Sequence, residues 1–177
     1  MGGFAGGDEG GYWDIDILPT SMDQQNDNQS ENFSIKKSDI EIGDSIYSIK
    51  AHARVKSLSG WIRVENLYDT ITFVPDECKT FTIEGCDNIP LESNTIYKAF
   101  LALHDFTNDS DILDFFYTHK VVVTKRISPS AALAGSSSDA AAFMRLVKEV
   151  CNLILSTDEL AKIGSSITHD VPFFIHN

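Results

Sequence analysis

Residues 128–143 read SPSAALAGSSSDAAAF, concentrating hydroxyls, small side chains and one carboxylate between a β-branched run and an alanine-rich segment. The first turn of a helix leaves backbone N–H groups unpaired and pointing outward, and the helix dipole adds partial positive charge there. A strand, a small-residue loop and a helix start, in that order, can cradle a phosphate, because small side chains let the backbone itself approach the anion. Ser136, Ser137 and Ser138 would add hydroxyls toward phosphate or a magnesium ion, and Asp139 would either face that metal or cap the helix. The stretch has neither the Gly-Lys-Ser/Thr of a Walker A loop nor the spacing of a dinucleotide fingerprint. Taken alone, its composition reads more simply as a strand-to-helix turn with a serine cap. A second candidate is Asp170, which heads the apolar run VPFFI. On its own it is an aspartate capping a turn.

The elements that must position these residues follow from periodicity. KVVVTKRI, residues 120–127, is β-branched and predicts a strand leading into the small-residue loop. Phe143, Leu146, Val147 and Val150 then form a helical stripe behind it. Ser156 with Glu159 is a capping box that opens a further helix, which Gly164 ends. Upstream, Ile40/Ile42 and Ile46/Ile49 alternate around a Gly43-Asp44 turn. Ile71/Phe73 and Phe81/Ile83 predict two strands around Pro75-Asp76. Ile96, Ala99, Phe100 and Leu103 set a helix over residues 94–104, and a short helix fits residues 112–117.

The chain of 177 residues is long enough for one domain with a real core, and its 42% hydrophobic content argues against wholesale disorder. A formal net charge of −12 repels polyphosphate backbones, so nucleic-acid binding is not expected; a local loop can still hold a mononucleotide. Cys78, Cys86 and Cys151 have no zinc-type spacing and read as reduced, buried or half-buried thiols. With no apolar run near the ~20 residues of a membrane span and no signal-peptide pattern, a cytoplasmic protein without a membrane partner is expected. Residues 1–34, glycine-rich and polar, read as a flexible or leader segment; YWDIDILP within them alternates apolar and acidic residues and could add a strand or bind something.

Two segments, KRISPSAALAGSSSDAAAF and LSTDELAKIGSSITHDVPFFI, resemble the GHMP kinase superfamily, and within it the kinases of isoprenoid-precursor synthesis. The matching motifs are K-x-I-P-x-x-x-G-L-G-G-G-S-S-D-A-A-A and L-A-x-x-I-G-x-x-x-G-A-D-V-P-F-F. RVENLYDTITF and NTIYKAFLAL are similar to segments that the family carries upstream, so the likeness runs over roughly residues 50–175. It implies an α+β fold: a mixed sheet packed against helices, shared with ribosomal-type domains. Residues 35–177 would form the GHMP kinase N-terminal, ATP-binding domain, truncated, with the C-terminal GHMP domain absent.

By the same resemblance, Ser128, Pro129, Ser130, Ala131, Ala132, Leu133, Ala134, Gly135, Ser136, Ser137 and Ser138 would wrap the ATP phosphates. Ser137 and Asp139 would face Mg2+. Asp170 would accept the proton of the substrate hydroxyl. Arg54 falls on a lysine that lies near the transferring phosphate. The implied reaction is ATP-dependent phosphorylation of a small-molecule, cytidine-diphosphate-linked methylerythritol. Pro172, Phe173 and Phe174 are expected as a packed strand behind Asp170, and His52 as a strand-surface histidine.

The sequence departs from the family pattern in ways that keep a second reading open, a catalytically inactive nucleotide-binding remnant acting as an interaction module. Ser128 stands for the opening proline, and Ala132, Ala134 and Ser136 stand for glycines. Thr168-His169 replaces Gly-Ala before the aspartate, Arg54 replaces lysine, and SLSGWI leaves no room for a substrate-contacting hairpin. A structural or nucleic-acid-binding module is the third reading. The acidic charge and the lack of a basic stripe with aromatics oppose it.

Overall fold

The computed structural model describes residues 39–176. The expectations for residues 1–34 and for YWDIDILP lie outside them. The strands are β1 (Ile40–Ile42), β2 (Tyr47–Ser57), β3 (Gly60–Pro75), β4 (Ile83–Glu84) and β5 (His119–Thr124). The helices are α1 (Thr95–Thr107), α2 (Ser110–Thr118), α3 (Gly135–Val150), α4 (Thr157–Gly164) and α5 (Val171–His176). One mixed sheet has the order β1-β2-β3-β5-β4, antiparallel throughout except where β4 runs parallel to β5. This is the α+β arrangement expected.

β2 and β3 make a long hairpin closed by a tight turn, Ser57 pairing with Gly60. Gly43-Asp44 turns the chain between β1 and β2, the Gly43 N–H donating to the Ile46 carbonyl at 2.8 Å. Asn94 caps α1 by accepting from the Ile96 N–H, and Ile96, Ala99, Phe100 and Leu103 form the buried face that periodicity requires. The Ser156/Glu159 capping box opens α4 with both hydrogen bonds present. Phe73 on β3, Phe116 on α2 and Phe143 on α3 meet edge-on or stacked, 5.2–5.7 Å between centroids, and join the sheet to the helical layer.

Three expectations are corrected. Phe81 lies outside any strand, and the second candidate shrinks to Ile83–Glu84, which pairs with β5 rather than with β3. It fits so close to β5 that a Cβ on Gly85 would lie 1.9 Å from the Val123 carbonyl oxygen, so only glycine is accommodated. Pro172, Phe173 and Phe174 are helical, not extended. Asp170 accepts from the Phe173 and Phe174 N–H groups through its carbonyl, and Pro172 sits in the first turn, where its missing N–H costs nothing. His52 is buried, 4% exposed, rather than on the surface. Its Nδ1 lies 3.0 Å from the Val64 carbonyl oxygen, and its Nε2 lies 3.3 Å from Asp39.

Cys78, Cys86 and Cys151 are free and buried or half-buried, as read. Among the described residues, no helix is long and apolar enough to cross a membrane.

Candidate active site

The site is built where β2 breaks register. The register shifts between His52 and Arg54, where residues 64–67 of β3 lie opposite residue 53 of β2. The small-residue loop bonds to the β2 backbone at this point. The Arg54 N–H donates to the Leu133 carbonyl at 2.9 Å, and the Ser138 hydroxyl donates to the His52 carbonyl at 2.6 Å. These two bonds dock the loop onto the sheet. Ala51 and Ala53 of β2, and Ala140 and Ala141 of α3, are all buried. Small side chains on both elements let the helix lie close to the strand, which explains the alanines better than helix propensity does.

α3 begins at Gly135, so residues 135–138 are its first turn rather than loop. Its N-cap is Ala134, and no side chain caps it. The expected serine cap is absent, as is a cap by Asp139. The first-turn N–H groups of Gly135, Ser136 and Ser137 stay available to an anion. Ala132 and Ala134 have φ of 53° and 56°, in the left-handed region. Two of the three positions where the family pattern has glycine thus adopt the backbone that favours glycine, at roughly 1–2 kcal/mol each for a residue with a Cβ. Ser136 needs no such φ. Gly135 is retained for a different reason: a Cβ there would lie 3.0 Å from Ile127 Cγ2.

A buried carboxyl pair anchors the strand side of the loop. Asp69 Oδ1 accepts from the N–H groups of Arg126 and Ile127 at 2.6 and 2.9 Å. Lys125 Nζ bridges Asp69 Oδ2 and Asp139 Oδ2, each at 2.8 Å. Burial, reinforced by Asp69, pushes the Asp139 carboxyl well above the ordinary range. Asp69 is held below it: burial opposes this, but hydrogen bonds from Asp139, Lys125 and the two backbone groups prevail. Lys125 is the group that joins the two carboxyls, and Asp139 Oδ1 is buried without a hydrogen-bond partner among the described residues. Asp139 is consequently turned into the fold and does not fit the metal-ligand role expected of it. Among the described residues, no group of three His, Cys, Asp or Glu gathers to hold a metal ion.

Arg54 packs against α5, the helix that Asp170 precedes. The Arg54 guanidinium lies 4.8 Å from the centroid of Phe174, which stands one helical turn beyond Asp170. Arg54 is 4% exposed, its Nε has no partner, and no ion pair joins it to a carboxylate among the described residues. Burial, together with the charges of Arg63 and Arg145, draws its guanidinium down to about 9. Such a buried, uncompensated cation is costly and is suited to an incoming anion.

The two sequence motifs meet in one contact. Ser137 Oγ lies 2.8 Å from Thr168 Oγ1, 31 residues on, and Thr168 Oγ1 also accepts from the Asp170 N–H at 3.3 Å. Sequence reasoning singled out Ser137 and Asp170 but treated Thr168 only as a departure from pattern. It also passed over Asp69 and Lys125, whose roles have no local signal because the carboxyl pair is closed across β3, β5 and α3.

Comparison with known proteins bears on the family and the fold. The family described as GHMP kinases N terminal domain matches residues 94–177. The chain is 50% identical over 146 residues to 4-diphosphocytidyl-2-C-methyl-D-erythritol kinase of Sulfurovum sp. (strain NBC37-1), covering 75% of this chain and 56% of that protein. It is 43% identical over 123 residues to the protein of the same name from Sulfurimonas denitrificans, covering 67% of this chain and 46% of the other. The chain thus spans about half the length of the curated relatives it matches. Among solved structures, that of a 4-(cytidine 5'-diphospho)-2C-methyl-D-erythritol kinase superposes with a TM-score of 0.50 at 19% identity, over 72% of this chain and 46% of that one. This last likeness concerns the fold.

Proposed function

The chain carries a GHMP kinase N-terminal domain, and on that premise we propose that it binds ATP and phosphorylates the hydroxyl of 4-diphosphocytidyl-2-C-methyl-D-erythritol, in the cytoplasm, for isoprenoid-precursor synthesis. The observation that carries the reading is the buried guanidinium of Arg54, without a carboxylate partner among the described residues, on the residue whose N–H docks the loop that leads into the uncapped start of α3. Residues 128–138 hold the triphosphate. The N–H groups of Gly135, Ser136 and Ser137 donate to phosphate oxygens, and Arg54 neutralises the charge that develops on the transferred group. Asp170 accepts the proton of the attacking hydroxyl. Magnesium, when bound, would supply charge neutralisation on the phosphates; Asp139 is committed to Lys125, so no protein carboxylate is assigned as its ligand.

Calorimetry of the full chain with magnesium and ATP tests the reading. Saturable binding at or below millimolar ATP is expected, and its absence overturns the reading. Asp170→Asn should keep that binding and lower turnover by roughly 10²–10⁴-fold. A second reading, a nucleotide-binding module without turnover, is favoured by the left-handed Ala132 and Ala134 and by arginine at position 54. ATP binding with no phosphoryl transfer to the methylerythritol substrate would select it.

A further inference from the structure

We infer that Thr168 is a positioning residue, its hydroxyl coupling the first turn of α3 to the backbone of Asp170 and so setting the spacing between bound phosphate and carboxylate. α5 is held by apolar packing. Phe174 lies against Arg54 and meets Trp61 edge-on at 5.4 Å, and Val171, its first residue, fills the space beside Gly164, where a Cβ would come within 2.5 Å of its Cγ1. The side-chain hydrogen bond at the leading end, where Asp170 sits, comes from Thr168. Residues 165–168 arrive there through successive turns, the Ser166 and Ile167 N–H groups donating to Ile163 and Gly164. Thr168 then ties that end to the loop, 2.8 Å from Ser137 Oγ, while accepting from the Asp170 N–H at 3.3 Å.

The Thr168 hydroxyl serves both contacts at once: one lone pair accepts from the Asp170 N–H, and either hydroxyl can donate in the bond to Ser137. Glycine, which the family pattern carries at this position, can make neither bond. Valine would fill the same space without a hydroxyl, and serine would restore the hydroxyl alone.

The functional consequence rests on the reading of residues 128–138 as a phosphate site, so the test separates the two. Amide hydrogen exchange is measured on the full chain and on Thr168→Val and Thr168→Ser, with turnover followed in parallel using ATP and magnesium. In Thr168→Val, the Asp170 amide should exchange about 10-fold faster. Its kcat should fall roughly 10-fold or more while KM for ATP stays within about twofold. Thr168→Ser should restore both. Unchanged exchange at Asp170 in Thr168→Val, or failure of serine to restore protection, overturns the coupling. Wild-type protein that neither binds nor turns over ATP overturns the phosphate reading instead, with the exchange result still deciding whether Thr168 ties the two segments.

Discussion

At the scale of single residues, the site opposes stability to function. Arg54 is a buried cation with no ion-paired carboxylate among the described residues, so Arg54→Met should stabilise the unliganded chain by about 1–2 kcal/mol in urea unfolding. The same change should weaken ATP binding at least tenfold, because a charged hydrogen bond to phosphate contributes roughly 1.5–3 kcal/mol. With Arg54 drawn down to about 9, the cation that attracts phosphate is present below that pH and is lost as pH rises through it. ATP affinity measured by calorimetry should fall accordingly.

The carboxyl pair predicts an asymmetry between two chemically identical substitutions. Burial raises the Asp139 carboxyl, so the uncharged Asp139→Asn, which keeps an oxygen toward Lys125, should cost less than about 1 kcal/mol near neutral pH, or even stabilise. Asp69→Asn keeps an oxygen for the Arg126 and Ile127 N–H groups but removes the negative charge and turns an NH2 donor toward Lys125 Nζ in a fully buried position. It should cost about 2–3 kcal/mol. Equal losses in thermal unfolding of the two variants would refute the opposite perturbation of the two carboxyls.

At the scale of elements, the loop before α3 is more strained than its function requires. Ala132→Gly and Ala134→Gly relieve a left-handed φ at a Cβ-bearing residue but also loosen the unfolded chain. Each should therefore gain only roughly 0.5 kcal/mol. Gly135→Ala should do the reverse and destabilise, since the added methyl meets Ile127. Urea unfolding of the three variants reads this directly, and a stabilising Gly135→Ala would contradict the packing described. α5 shows why element type at a short apolar run is hard to read. VPFFI fits a buried strand as well as a single helical turn, and only the Asp170 cap and the contact of Phe174 with Arg54 choose the helix.

At the scale of the whole molecule, the acidic chain balances its charges unevenly. Asp39 and Asp69 both sit below the ordinary carboxylate range despite burial. Asp39 is held there by the hydrogen bond from His52 and the charges of Arg63 and Arg145, and Asp69 by the partners described above. A depressed carboxyl adds stability that is present above its unfolded value, near 3.8, and is lost as pH falls through the folded one. Asp139, raised, acts with opposite sign, its protonated state becoming a growing cost as pH climbs above 3.8. Denaturation curves across pH 3–8 should show a steep acid loss in the wild type, and Asp139→Asn should gain on the wild type as pH rises. Ligand enters at the same scale. ATP at a hundredfold excess over Kd should stabilise the fold by about 2.7 kcal/mol, and Arg54→Met should lose most of that gain.

The sequence by itself determined the periodic elements and both ends of α4. The stripe of α1, the Ser156/Glu159 box and the β-branched β5 are written in local spacing, and local spacing is what sets those features. It also marked residues 128–138 and Asp170, because small residues before a helix and a motif-bearing aspartate are local signals. Tertiary structure alone decided the rest. The burial of His52, the inward turn of Asp139, the pairing of Asp69 with Lys125 and the bond from Ser137 to Thr168 all join residues far apart in the chain. Whether a polar side chain faces solvent, a ligand or another buried group depends on what packs against it. That is a property of the assembled sheet and helices, which no spacing along the chain records.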